Sequence, residues 1–119
     1  MKYFSLDEFD CPSLPLSGKE MQPSFLEKLE EARDYAGIPF VITSGYRTKF
    51  HNDSLPNSVP DSAHTKGYAV DIAIKGSLQR YTILQALLRA GFSRIGIAKT
   101  FIHVDSDPDK SPQVIWTYN

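Results

Sequence analysis

The sequence predicts an α+β domain in which a small, mainly antiparallel sheet carries two helices on one face. Three observations lead there. The chain is 119 residues long, room for a single domain over residues 1–119 and no more. Two stretches combine helical periodicity with start and stop signals. Five short runs have strand character, and the last three are separated only by turn-forming residues.

The elements follow in order. Residues 1–22 read as irregular, because Pro12, Pro15 and Gly18 interrupt any regular element. A helix is expected over residues 24–36, where Ser24 and Glu27 have capping-box spacing and Leu26, Leu29, Ala32 and Ala36 make an apolar face. Gly37 marks its stop. Residues 40–43 read as a strand entering a turn at Ser44-Gly45. Residues 49–63 are polar, contain Pro56 and Pro60, and have no periodicity. So long a loop in so small a domain points to function or disorder. A second strand is expected over residues 68–74. Ser77 can cap a second helix to residue 90, with Ile83, Leu84, Leu87 and Leu88 inward and Gly91 ending it. Residues 93–98, 101–105 and 113–118 read as three more strands, with Ser106-Asp107-Pro108-Asp109 as a turn between the last two.

Composition excludes several classes. At 41% hydrophobic and 23% charged residues, the chain is neither a disordered tail nor a fibre, and no apolar run is long enough to span a bilayer. Thirteen Lys+Arg against fourteen Asp+Glu give a formal charge of −1, without the basic footprint that nucleic acid or anionic lipid requires. One cysteine, Cys11, allows no internal disulfide and reads as a small buried residue. Lys2 is followed by Tyr3-Phe4-Ser5-Leu6 and then at once by Asp7 and Glu8, which leaves no apolar core of a signal peptide in the sequence as read.

The residues with most chemistry are His64, Asp71 and His103. Period-2 alternation over residues 68–74 puts Val70, Ile72 and Ile74 on one face and Ala69, Asp71 and Ala73 on the other. Over residues 101–105, Ile102 and Val104 face the core, while Phe101, His103 and Asp105 share the opposite face. His64 precedes the Asp71 strand, beside Gly67, which lets the backbone turn. Two imidazoles and a carboxylate converging above a sheet are the ligand set of a catalytic zinc site, with a fourth position for water. The bland alternative is two surface histidines and a strand aspartate.

The blocks Ser44-Gly45-Tyr46-Arg47-Thr48, Ser62-Ala63-His64-Thr65-Lys66-Gly67-Tyr68-Ala69-Val70-Asp71-Ile72 and Phe101-Ile102-His103-Val104-Asp105 resemble the zinc D-alanyl-D-alanine peptidase family, with its hedgehog/DD-peptidase fold. The resemblance extends over residues 4–118 and is similar to short, single-domain phage members. It implies a metallopeptidase that hydrolyses an amide bond in peptidoglycan stem peptides, of D,D-carboxypeptidase or endopeptidase type, with zinc-bound water as nucleophile. The alternative it implies is a non-catalytic zinc module that binds cell-wall peptides or a protein. By this resemblance His64, Asp71 and His103 hold one Zn2+, and Arg47 and Ser62 contact the substrate. A guanidinium fork suits a stem-peptide carboxylate or a developing oxyanion. Tyr46 and Trp116 either line a substrate groove or pack the core.

One departure stands out. Many relatives carry a carboxylate three residues before the second zinc histidine, as general base and acid; here that residue is Thr100. Asp105 either takes over as base, orients an imidazole, or merely begins a turn. The expected partner is a stem peptide, met by a monomer with neither nucleic acid nor membrane insertion. Without a signal peptide, the chain is expected to be made in the cytoplasm and to reach the wall by release or phage delivery.

Overall fold

The computed structural model describes residues 1–118. The first 22 residues form two short 3₁₀ turns, Leu6–Phe9 and Ser17–Glu20, where only irregular chain was expected. Helix α1 (Pro23–Ala36) starts at Pro23, whose ring presets φ and whose missing N–H is one the first turn leaves unpaired anyway. Gln22 is the cap residue, so the expected Ser24–Glu27 capping box does not form. Gly37 ends α1 as expected, in the left-handed conformation at φ 68°. Strand β1 (Ile42–Ser44) begins later than expected, and Phe40 turns into the core instead.

Residues 49–63 hold a helix that the sequence did not announce. In α2 (Lys49–Ser54) the Thr48 hydroxyl accepts the His51 N–H, and Lys49 pairs with Asp53 one turn on. Six residues are too few to display a periodicity. Among the described residues there are thus three α-helices rather than two. After β2 (Ala69–Ala73), helix α3 (Gly76–Arg89) begins ahead of Ser77, with Lys75 as the cap residue and its N–H taken by Gln79. Ile83 and Leu87 are buried as expected, but Leu88 is exposed.

Strands β3 (Arg94–Ile97), β4 (Phe101–Asp105) and β5 (Val114–Thr117) complete a five-stranded sheet in the order β1-β2-β4-β3-β5. All pairings are antiparallel except β3 with β5. The turn after β4 does not make a hairpin with β5, because β2 and β3 already occupy both edges of β4. The last strand therefore crosses to the free edge of β3.

Val70, Ile72, Ile102 and Val104 are fully buried on one face of the sheet, in one core with Phe25 and Leu29 of α1 and Ile83 and Leu87 of α3. Each such side chain contributes about 1.5–3 kcal/mol by leaving water. The alternate residues, Asp71 and His103 among them, are left to the opposite face. Register lines up Ser44, Asp71, His103, Gly96 and Trp116 in a single row across all five strands. No helix among the described residues is long and apolar enough to cross a membrane.

Candidate metal centre

His64 sits on the 3₁₀ turn Ala63–Lys66, which Ser62 caps by accepting the His64 N–H at its hydroxyl. Gly67 closes the turn at φ 77°, where a Cβ would also lie 2.3 Å from the Glu20 carbonyl oxygen. Only glycine suits both demands. The imidazole is 3% exposed. Its Nδ1 lies 2.8 Å from the Gly45 carbonyl oxygen, which can only accept, so Nδ1 carries the proton and Nε2 is free to ligate.

Asp71 and His103 are direct neighbours on β2 and β4. Asp71 Oδ1 lies 2.9 Å from His103 Nδ1 and 3.4 Å from His64 Nε2. The other nitrogen of His103, Nε2, lies 2.7 Å from Asp105 Oδ2. Asp105 has two further partners: its Oδ1 accepts from Arg94 Nε at 2.7 Å and from the Asp107 N–H at 3.2 Å. Each imidazole thus has one nitrogen held by the protein and the other turned to a common point.

Charge is set to match. Burial pushes the His64 imidazolium down, so the ring is neutral. Burial acts the same way on His103, but hydrogen bonds to Asp105 and Asp71 outweigh it and raise that group above its ordinary value. Burial alone would raise the Asp71 carboxyl; its hydrogen bond from His103 prevails and holds it well below the usual carboxylate range. A divalent cation bound between His103 Nδ1 and Asp71 would require that nitrogen to be deprotonated.

The donor set fits zinc. His64, Asp71 and His103 each offer one ligand atom, all within 4.8 Å of one another. Tetrahedral zinc with bonds of about 2.0–2.1 Å needs ligand atoms roughly 3.3–3.4 Å apart. The 3.4 Å and 2.9 Å separations to Asp71 lie close to that spacing. Two imidazoles and a carboxylate make a borderline-soft set with room for a fourth ligand.

These three residues line a cavity of about 520 Å³. Arg47 and Ser62 line it too. Arg47 is partly committed: Nε donates to Ser44, Nη1 donates to Asn52 Oδ1, and Nη2 lies 3.6 Å from Asp71 Oδ2. Residues 55–59, just after α2, form one wall. Tyr46 is not part of the lining and packs against the core, whereas Trp116 lines the cavity. Thr100 is exposed and does not line it. Cys11 is buried as expected, with its sulfur beside the Ser13 and Thr48 hydroxyls.

Sequence reasoning missed Arg94 and Asn52. Arg94 directly opposes Asp105 across β3 and β4, a pairing that no single strand reveals. Asn52 is fully buried in α2 and donates to the Val59 carbonyl while accepting from Arg47.

No curated protein matches the chain. A family model for Peptidase M15 matches residues 2–105, which include all three metal-site residues and Arg47, Ser62 and Asp105. With that match over most of its length, the chain belongs to the Peptidase M15 family.

Proposed function

We propose that this peptidase is a zinc enzyme that hydrolyses an amide bond next to a D-amino acid in peptidoglycan stem peptides. One observation carries the reading: His64 Nε2, Asp71 Oδ1 and His103 Nδ1 converge at the wall of a cavity, with the remaining imidazole nitrogens already engaged. M15 peptidases are in general zinc-dependent. Zinc bound there supplies Lewis acidity, bringing the pKa of a coordinated water to about 7 and polarising the scissile carbonyl.

The protein's own groups do the rest. Arg47 retains N–H groups beyond those given to Ser44 and Asn52, and these would bind a stem-peptide carboxylate. The Ser62 hydroxyl accepts from His64 and keeps its own proton to donate to a substrate carbonyl. Asp105 holds His103 in the tautomer that leaves Nδ1 for the metal, the orienting alternative among its three roles. The wall at residues 55–59 would choose between a closed carboxypeptidase pocket and an endopeptidase groove.

A second reading, a zinc module that binds cell-wall peptide without cutting it, is favoured by one fact. Both carboxylates lining the cavity, Asp71 and Asp105, are already engaged, and neither is free as a general base. Incubation of the zinc-loaded chain with a stem peptide, with and without chelator, separates the readings. Cleavage abolished by chelator or by His64→Ala supports the enzyme. Zinc-dependent binding without cleavage supports the module, and neither binding nor cleavage overturns the peptidoglycan assignment.

A further inference from the structure

We propose that Trp116, on the outermost strand, is a positioning residue for the metal centre: its indole locks the His103 imidazole in the orientation that ligates. The inference rests on the metal site proposed above. It concerns β5, which lies beyond the segment matched to the family.

Trp116 and His103 are two strands apart, with β3 between them. Their backbones are therefore separated by about 9–10 Å. Their rings nonetheless pack with centroids 5.6 Å apart. The contact exists because the intervening residue of the row is Gly96. A Cβ there would lie 2.6 Å from Trp116 Nε1 and 2.7 Å from Cε2, so the indole lies directly across bare backbone.

The contact also closes a ring. His103 Nε2 bonds Asp105, Asp105 bonds Arg94, and the Arg94 guanidinium lies 5.3 Å from the centre of the indole that packs on His103. Cation–π attraction holds Arg94 and Trp116 together. Excluding water on that side strengthens the His103–Asp105 hydrogen bond. For His103 to swing away from Asp71, both the hydrogen bond and the indole must yield.

The test has a built-in reporter, since Trp116 is the single tryptophan of the chain. Chelator-stripped protein is titrated with zinc while tryptophan emission is read, and zinc affinity is measured by chelator competition. Parent emission should change in step with zinc uptake. Trp116→Ala should weaken zinc about tenfold, the lower end of the usual 10–100-fold range for groups that orient a ligand. Gly96→Ala should do the same while keeping the tryptophan itself, because its methyl group would displace the indole. Trp116→Phe, which keeps an aromatic ring over Gly96, should retain most of the parent's affinity. Thermal unfolding confirms that each variant is folded, and if Trp116→Ala is not, Gly96→Ala decides. A parent that binds zinc with unchanged emission, or folded variants that bind it as tightly as the parent, overturns this inference alone. A parent that takes up no zinc overturns the metal site and this inference with it.

Discussion

At the scale of single residues, Asp105 carries the sharpest question, because three hydrogen bonds already engage both of its oxygens. One oxygen accepts from His103, the other from Arg94 and the Asp107 N–H. Asp105→Asn should therefore weaken zinc by about 10–100-fold, with turnover restored by excess metal. A general base would behave otherwise, keeping zinc and losing turnover by about 10²–10⁴-fold. Both quantities are measured on one preparation. Arg47→Lys keeps the charge but loses the planar fork, so cleavage should fall while zinc content and melting temperature hold. A variant that cleaves as well as the parent removes Arg47 from substrate binding. The convergence of His64, Asp71 and His103 was legible in the sequence from strand alternation and a glycine-ended turn taken together with the family resemblance. Arg94 was not, since its role depends on which residue faces it across β4.

At the scale of elements, α2 and the chain after it depend on Asn52. This fully buried side chain donates to the Val59 carbonyl at 2.8 Å and accepts from Arg47 at 3.2 Å, tying the cavity wall to the guanidinium. Asn52→Ala leaves both partners short of a hydrogen bond, at a cost of about 1–3 kcal/mol. The melting temperature should drop by several degrees, and KM should rise more than kcat falls, because the wall and Arg47 lose their alignment. Steady-state kinetics with a stem peptide and a thermal melt check both parts. The sequence marked residues 49–63 as functional or disordered but concealed the helix, which one hydroxyl cap and one turn of chain define. It likewise named β5 but not its partner. Chain order suggests a hairpin with β4, and only the occupied edges of that strand send β5 to β3 in parallel.

At the scale of the whole molecule, the three residues proposed as ligands come from one turn and two strands, so a bound metal ion would cross-link separate elements. Free zinc at roughly a thousand times its Kd would add about 4 kcal/mol to stability, and raise the melting temperature by roughly 10–20 °C in a chain of this size. Chelator should reverse the shift, and His64→Ala should abolish it. A melting temperature indifferent to zinc would mean that no such cross-link exists. The fold class was legible because the core is written in simple alternation: Val70, Ile72, Ile102 and Val104 all went where period-2 placed them. Leu88 went elsewhere, because α3 turns a narrower face to the core than its leucines suggest.

The row that runs from Ser44 to Trp116 makes correct strand pairing a precondition for the proposed metal site. Were β2 to slip by one position, Val70 and Ile72 would swing out and the Asp71 carboxylate would turn into hydrocarbon. Exposing those two side chains costs about 3–6 kcal/mol, a large part of the roughly 5–15 kcal/mol that holds a domain together. A mispaired chain would thus be unstable and blind to zinc at once, and no excess of metal could rescue it. If the proposed site binds zinc, stoichiometry at saturating metal would count correctly paired molecules, and a metal assay would then measure the folding yield of a preparation.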